Sequence, residues 1–486
     1  MHEALRFLKR NRGGALAISL LLLVPCFWHR RIEAGDLASH VYNAWLAQLI
    51  EHGQAPGLYL ARQWNNVLVD VALLRLGSLL GFVAAERIVA SACVLIFFWG
   101  AFAFITTVSG REPWTLTPGL AMISFGWTFY MGFLNFYLAL GLAMLTLPLI
   151  LRPRRKSDQI VALLLSGLVW LAHPLGLVCL IGLAGYFWLA SRLGGGYRWG
   201  LWVAGFGAVF AARELLLRRQ PVFWDTPFFY KVNGSDQLVL FGARYEVLAN
   251  VVFAFGCVIF LSGLVREWRE VKCRATFRAP LELWSVLLFA AAMVPEAFSL
   301  PQYAGVVAFL ISRVTTISAV LGLCVLGSVR PRRWHFIGLA LAAGAFFTWM
   351  YQDTGTLNRM EAQAEKLVSS LPYGRRVTES IFAPEDSRIS FINHVVDRAC
   401  IGRCFTYANY EPSSGQFRVR VRQGSPIVSS NPDETEAMES GEYLVQPNDL
   451  PMSHIYQCDE HDLTRLCIRD LSANEKNGRI GYHPPP

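Results

Sequence analysis

Several polar groups interrupt an otherwise apolar chain, and each combines residue types that handle protons or phosphates. EAGDLASHVYNAW (33–45) sets Asp36 and His40 four residues apart, directly after the first long apolar run. On a helix that spacing puts both side chains on one face. A histidine there can orient a carboxylate as a proton acceptor, or the pair can hold a phosphate or a metal. Aspartate is also a favoured helix N-cap, worth about 1 kcal/mol. A cap accounts for Asp36 but leaves His40 without a role. WLAHPLG brings His173 and Pro174 to the end of another apolar run, where the histidine is either a site residue or a turn residue bonded to backbone. Arg313, in AFLISRVTTISAV, lies well inside its run. Ionisable groups at such depth are costly and face a cavity or a partner, and a guanidinium offers a fork of donors suited to phosphate. An ion pair with Glu296 or Glu86 is the competing reading.

The loop RRQPVFWDTPFFYKVNGSDQ (218–237) mixes aromatic rings with Asp225, Lys231 and Asp236, as carbohydrate-facing and interfacial loops both do. GWTFYMGFLNFYLALGL (126–142) reads as helix packing with an interfacial aromatic belt, and RLGGGYR, which lacks phosphate-loop spacing, reads as a turn. No HExxH, GxSxG or P-loop pattern is present. No metal ligand set is assigned; a divalent cation is the one cofactor left open.

The elements that must position these residues are membrane helices. Of 486 residues, 54% are apolar and 16% charged, against about 25% charged in a soluble chain. Aromatics reach 13%, with 15 Trp and 32 Phe, as where rings line a bilayer and its interfaces. The mean hydropathy is +0.36. A span takes about 20 mainly apolar residues. Candidates lie near 13–31, 86–108, 116–132, 134–151, 159–173, 174–191, 199–217, 247–265, 281–296, 303–328 and 335–351. The expectation is a polytopic α-helical protein of about 11 spans, with 68–82 as a further interfacial or re-entrant helix. The first run lacks a small-residue cleavage site and reads as a retained helix. No internal repeat of the kind common in transporters is visible.

The net charge of +9 is not a nucleic-acid signal, because the basic residues fall in short loops between apolar runs. RFLKRNR (6–12) precedes the first span, which sets the N-terminus in the cytoplasm. Alternation then puts RPRRK (152–156), SRLGGGYR (191–198), REWREVKCR (266–274) and RPRRWH (330–335) on that same side. The loop 32–85, the AHPLG turn, the 218–246 loop and everything after Tyr351 fall on the other side. Arg30, Arg31, Arg218 and Arg219 are the basic exceptions there, suited to an anion.

From Gln352 the chain turns polar, and LPYGRRVTES, GQFRVRVRQG and EYLVQP read as strands and turns. The division is therefore a membrane domain, 1–351, and an extracytoplasmic α/β or β-rich domain, 352–486. Six of ten Cys lie in or beside apolar runs; the other four are Cys400, Cys404, Cys458 and Cys467. An even number suits two disulfides in an oxidising compartment. Zinc is the alternative, since His454 and His461 flank Cys458. Asp36 is expected to open an amphipathic helix whose stripe of Leu37, Val41, Trp45 and Leu49 suits the membrane surface.

This layout resembles the GT-C superfamily of integral-membrane glycosyltransferases. The likeness is carried by GDLASHVYNAWL, GFLNFYLALGLAML and AHPLG, and covers roughly residues 1–350. These segments resemble those of uncharacterised bacterial multi-spanning proteins of this type. The resemblance implies a bacterial cytoplasmic (inner) membrane protein that moves a sugar from a polyprenyl-phosphate carrier to a glycan, lipid or protein acceptor on the extracytoplasmic face, inverting the anomeric centre. Asp36 matches the position of the family's catalytic acid, and many members pair it with a second acid, whereas here the nearest is Glu33. His40 would orient Asp36. Arg313, His173, Arg218 or Arg219 would hold the departing phosphate, and Asp225, Lys231 and Glu296 would face the acceptor. Two other classes stay open: a transporter or flippase of lipid-linked glycans, marked by repeated halves and several midplane charges, and a non-catalytic envelope scaffold whose C-terminal domain is the working part.

Overall fold

The structure, a computed structural model, describes residues 11–224, 233–267, 271–300, 306–383, 387–389, 394–459, 462 and 464–478. The N-terminal half runs α1 (Arg12–Phe27), α2 (Leu37–Glu51), β1 (Leu58–Leu60), α3 (Leu68–Leu80) and α4 (Phe82–Ser109). Then come α5 (Thr117–Ser124), α6 (Trp127–Tyr130), α7 (Leu134–Leu151), α8 (Lys156–Ala172), α9 (Pro174–Arg192) and α10 (Gly195–Arg219). Strand β2 (Val222–Phe223) leads to α11 (Ala243–Glu267), α12 (Val271–Met293), β3 (Ala297–Ser299), β4 (Val306–Val307), α13 (Leu310–Ser328) and α14 (Arg333–Ser369). The C-terminal region adds β5 (Arg375–Ser380), α15 (Val395–Ala399), β6 (Cys404–Thr406), α16 (Glu411–Ser414) and β7 (Val419–Val421), then α17 (Pro432–Glu439), β8 (Met452–Gln457) and β9 (Leu466–Asp470).

Among the described residues, seven helices are long and apolar enough to cross a membrane: α4, α7, α9, α10, α11, α13 and α14. The chain is a helical membrane protein. The eleven stretches read from the sequence do not all become such helices. Helix α1 has 16 residues and α8 has 17. The stretch 116–132 breaks into α5 and α6, because Gln237 is wedged at the joint. A Cβ on Gly126 would lie 2.9 Å from the Gln237 carbonyl oxygen, and Thr128 donates its backbone N–H and its hydroxyl to the Gln237 side-chain oxygen.

The boundary expected at 351/352 falls inside α14, a continuous helix of 37 residues, on the order of 55 Å long at about 1.5 Å per residue. That exceeds a bilayer's hydrocarbon core of about 30 Å, so its last turns stand in the polar C-terminal region. There a mixed sheet has the order β6-β5-β8-β9, with β5 parallel to both neighbours and β9 antiparallel to β8. Disulfides join Cys400 to Cys404 and Cys458 to Cys467, which occupies the thiols a zinc ion would need. His454 instead shares a hydrogen with Thr378 Oγ1 at 2.9 Å, and His461 lies outside the described residues.

One continuous apolar core runs from α1 through the membrane helices into the C-terminal sheet. Strand β1 pairs antiparallel with β7, Leu58 opposite Val421. Helix α2 does not lie on a surface: twelve of its fifteen residues are buried. Its apolar stripe packs inward, and its polar face meets the C-terminal region rather than water. Ser39 Oγ and Asn43 Nδ2 donate to the Glu411 carboxylate at 2.6 and 2.8 Å, and Tyr42 Oη accepts from the Thr406 N–H at 3.0 Å. Trp45 stacks on Phe405.

Arg398 fastens this arrangement. Buried at 1% side-chain exposure, it donates to Glu361 of α14 (2.7 Å), to Glu86 of α4 (2.9 Å), to Glu33 before α2 (3.2 Å) and to the Ile32 carbonyl (3.0 Å). Burial, then Glu361 beside it, pushes the Glu33 carboxyl well above the usual range. Arg31 adds a second cation, 2.9 Å from Glu365. Removing one partner of a buried ionic cluster costs about 3–5 kcal/mol, because the others stay buried and uncompensated. Arg398→Met is therefore expected to lower the thermal unfolding midpoint of the detergent-solubilised protein by several degrees or to abolish its folding, which scanning fluorimetry reads directly.

Candidate functional site

Asp36 stands at the start of α2 but does not cap it: no side-chain hydrogen bond reaches the first turn. The backbone around it is pinned to the α6–α7 turn, with Gly35 N–H donating to the Tyr130 carbonyl (2.8 Å) and Asp36 N–H to the Met131 carbonyl (3.1 Å). Two glycines permit this approach. A Cβ on Gly35 would lie 2.6 Å from the Met131 oxygen, and one on Gly132, whose φ is +79°, 2.5 Å from the Asp36 nitrogen. The YMGF segment is thus the platform that aims Asp36.

The carboxylate faces a cavity of about 380 Å³ that is also lined by His40, Asn135, His173 and Arg313. Four residues singled out in distant parts of the sequence therefore meet: Asp36, His40, His173 and Arg313. Gln63, Asn65, Asn66, Tyr410 and Gln416 complete its polar part. Phe133, Phe136, Phe298, Val307 and Phe309 give it apolar walls. The small sheet β2-β3-β4 contributes to that wall, since Phe298 of β3 is opposite both Val222 of β2 and Val307 of β4.

Each polar group is held by a specific partner. His40 Nδ1 is 2.7 Å from Asp70 Oδ1, and Asn135 Nδ2 donates to Asp70 Oδ2 at 3.1 Å while its Oδ1 caps α3 through the Val69 N–H at 2.9 Å. Burial opposes charge on the His40 ring, yet Asp70 raises its pKa to about 9. His173 Nδ1 accepts the Leu175 N–H at 3.1 Å; in the neutral ring that leaves the proton on Nε2. Its ring meets Phe136 edge-on. Arg313 lies over Phe133, 4.7 Å from the ring centre, an arrangement that favours a cation. It forms no ion pair among the described residues, and its Nε is buried without a hydrogen-bond partner. Glu86 is occupied by Arg398 and the Ile32 N–H, and Glu296 accepts from the Ile311 N–H at the start of α13 at 3.3 Å.

Burial pushes the Asp36 carboxyl above its usual range, and His394, His40 and Arg313 pull it back. His394 comes from the C-terminal region, with Nε2 3.8 Å from Asp36 Oδ1 and Nδ1 2.9 Å from Asp397 Oδ2. Such a group accepts a proton in a site already biased towards negative charge on a substrate.

Other expected residues are placed elsewhere. Arg218 and Arg219 form the exposed last turn of α10 and do not line the cavity. Asp225 and Lys231 lie outside the described residues. Glu296, just before β3, meets the start of α13 beside the cavity wall as a helix-capping acceptor. Sequence reasoning missed Asp70, Asn135, His394, Asp397 and Tyr410. An asparagine in an apolar helix carries a signal, since a buried amide must find partners. His394-x-x-Asp397 has helical spacing, but what it faces depends on tertiary packing.

Comparisons with family models, curated proteins and solved structures find no match to this chain.

The two imidazoles fix a pH dependence. Their folded pKa values, about 9 for His40 and about 10 for His394, lie above the ordinary 6.5. Their stabilising contribution is complete below about 6.5 and is lost as pH rises through 9 and 10. The thermal midpoint should fall between pH 7 and 10, and His40→Gln should flatten that fall, as a pH series of unfolding curves will show.

Proposed function

We propose that the chain is a membrane glycosyltransferase that takes a sugar from a polyprenyl-phosphate carrier, with Asp36 as general base. The observation that carries this reading is the meeting of Asp36, His40, His173 and Arg313 in one cavity that also has an apolar wall of Phe133, Phe136, Phe298, Val307 and Phe309. A lipid-linked sugar phosphate combines the same three chemistries: a hydrocarbon chain, a phosphate and a hydroxyl-rich ring. The GT-C resemblance of residues 1–350 supports the same reaction.

In this reaction the acceptor hydroxyl attacks the anomeric carbon, and its proton passes to Asp36. The bond from that carbon to the phosphate oxygen breaks, and the electron pair leaves with the polyprenyl phosphate. Arg313, whose Nε is free to donate, and the Nε2–H of His173 stabilise the charge that grows there. Attack from the face opposite the leaving group inverts the anomeric centre. His40, held cationic by Asp70, keeps Asp36 ionised and ready.

The loop charges and the two disulfides support a setting on the extracytoplasmic side of a bacterial inner membrane for this cavity and the C-terminal region, since disulfides persist in oxidising compartments. The acceptor is a glycan, lipid or protein reachable there.

Asp36→Asn preserves shape and removes the base. It should leave the thermal midpoint within a degree or two and lower product formation by about 100-fold or more. Mass spectrometry of envelope glycans and polyprenyl lipids, in cells carrying either form, reads that loss. Wild-type product levels in the variant would refute the assignment.

A further inference from the structure

His394 and Asp397 lie behind Asp36, away from the cavity that would take a substrate. His394 is 5% exposed and Asp397 3%. The space on their far side, shared with Glu379, Thr406, Asn409 and Glu439, is about 10 Å³. That admits about one water molecule and no organic ligand, so these two residues act through Asp36 rather than on a ligand of their own. The Nδ1 bond to Asp397 fixes the ring, which leaves Nε2 directed at Asp36 Oδ1.

Several elements around His394 present titratable groups. Asp36 comes from the start of α2, Asp397 from α15, Glu379 from β5, Glu439 from α17, and Tyr410, whose ring is 5.7 Å away, from the turn before α16. Glu411 adds a more distant charge. Burial opposes charge on the imidazole, and the surrounding acids outweigh it, which raises its pKa to about 10. A cation so placed is a counter-charge on one side of Asp36 at neutral pH, with Arg313 on the cavity side.

We infer that His394, clamped by Asp397, is a positioning residue for Asp36: it orients the carboxylate towards the cavity and holds it ionised, so the region after the last span completes the site. The geometry stands without the proposed reaction; its catalytic consequence rests on that reading. His40 does not duplicate this contact, since its Nδ1 is turned to Asp70.

The test follows the Asp36 carboxylic acid band by infrared spectroscopy against pH in the purified full-length protein, the band being assigned by its loss in Asp36→Asn. His394→Gln should move the midpoint up by about 1 unit or more, the usual effect of deleting an opposite charge at this range. Asp397→Asn, which keeps the side chain's shape, should move it in the same direction by less, and it carries the test if His394→Gln fails to fold. A scaffold role would lower the thermal midpoint and leave the Asp36 midpoint where it was; an unmoved midpoint in both variants overturns the inference. Product analysis separates the two claims. A shifted band in a protein that makes no Asp36-dependent product supports positioning and refutes the glycosyltransferase reading. Asp36-dependent product with an unmoved band refutes positioning and leaves that reading intact.

Discussion

Arg398 is the cation on which the arrangement of the chain depends. Its guanidinium meets carboxylates from the segment before α2, from α4 and from α14, and it is itself carried by the C-terminal region. A lysine would offer one point charge where this site uses a planar fork. The consequence is positional. The same α15 that carries Arg398 carries Asp397, and His394 precedes it, so the contact that seats the C-terminal region also delivers His394 to Asp36.

The cavity gains its character from that seating. Helix α2 is covered on its polar face by Glu411, Thr406 and Asn409, so water is excluded behind Asp36 and charges there act at close range. On the open side the apolar walls come from α7, α13 and the β2-β3-β4 sheet. Two histidines are each held by an acid, one by the partly exposed Asp70 of α3 and one by the buried Asp397 of α15, and both bias the same carboxylate. The glycines at 35 and 132 set how close the two backbone turns approach, and that distance fixes where Asp36 points.

Much of this was legible in the sequence. The apolar runs gave the helical membrane class, and Asp36, His40, His173 and Arg313 were recognisable because a polar group in an apolar setting must be satisfied or used. Tertiary pairing was not legible. The four-residue spacing of Asp36 and His40 suggested that they pair with each other, whereas His40 turns to Asp70, thirty residues on, and Asp36 to His394. The apolar stripe of α2 matched a surface helix because periodicity reports one buried face and says nothing about what covers the other. The change from apolar to polar composition near 352 resembles a domain boundary, but a helix can leave a bilayer without ending, as the 37 residues of α14 do.

In the proposed reaction a lipid phosphate and the Asp36 carboxylate share this cavity. A cryo-electron microscopy structure of the full chain with a polyprenyl monophosphate tests it most directly. The account predicts the phosphate against Arg313 and His173, its hydrocarbon chain along the Phe133, Phe136 and Phe309 wall, and Asp36 facing it across the space for a sugar. A phosphate bound instead at Arg218 and Arg219, with the Asp36 cavity empty of lipid, would contradict it.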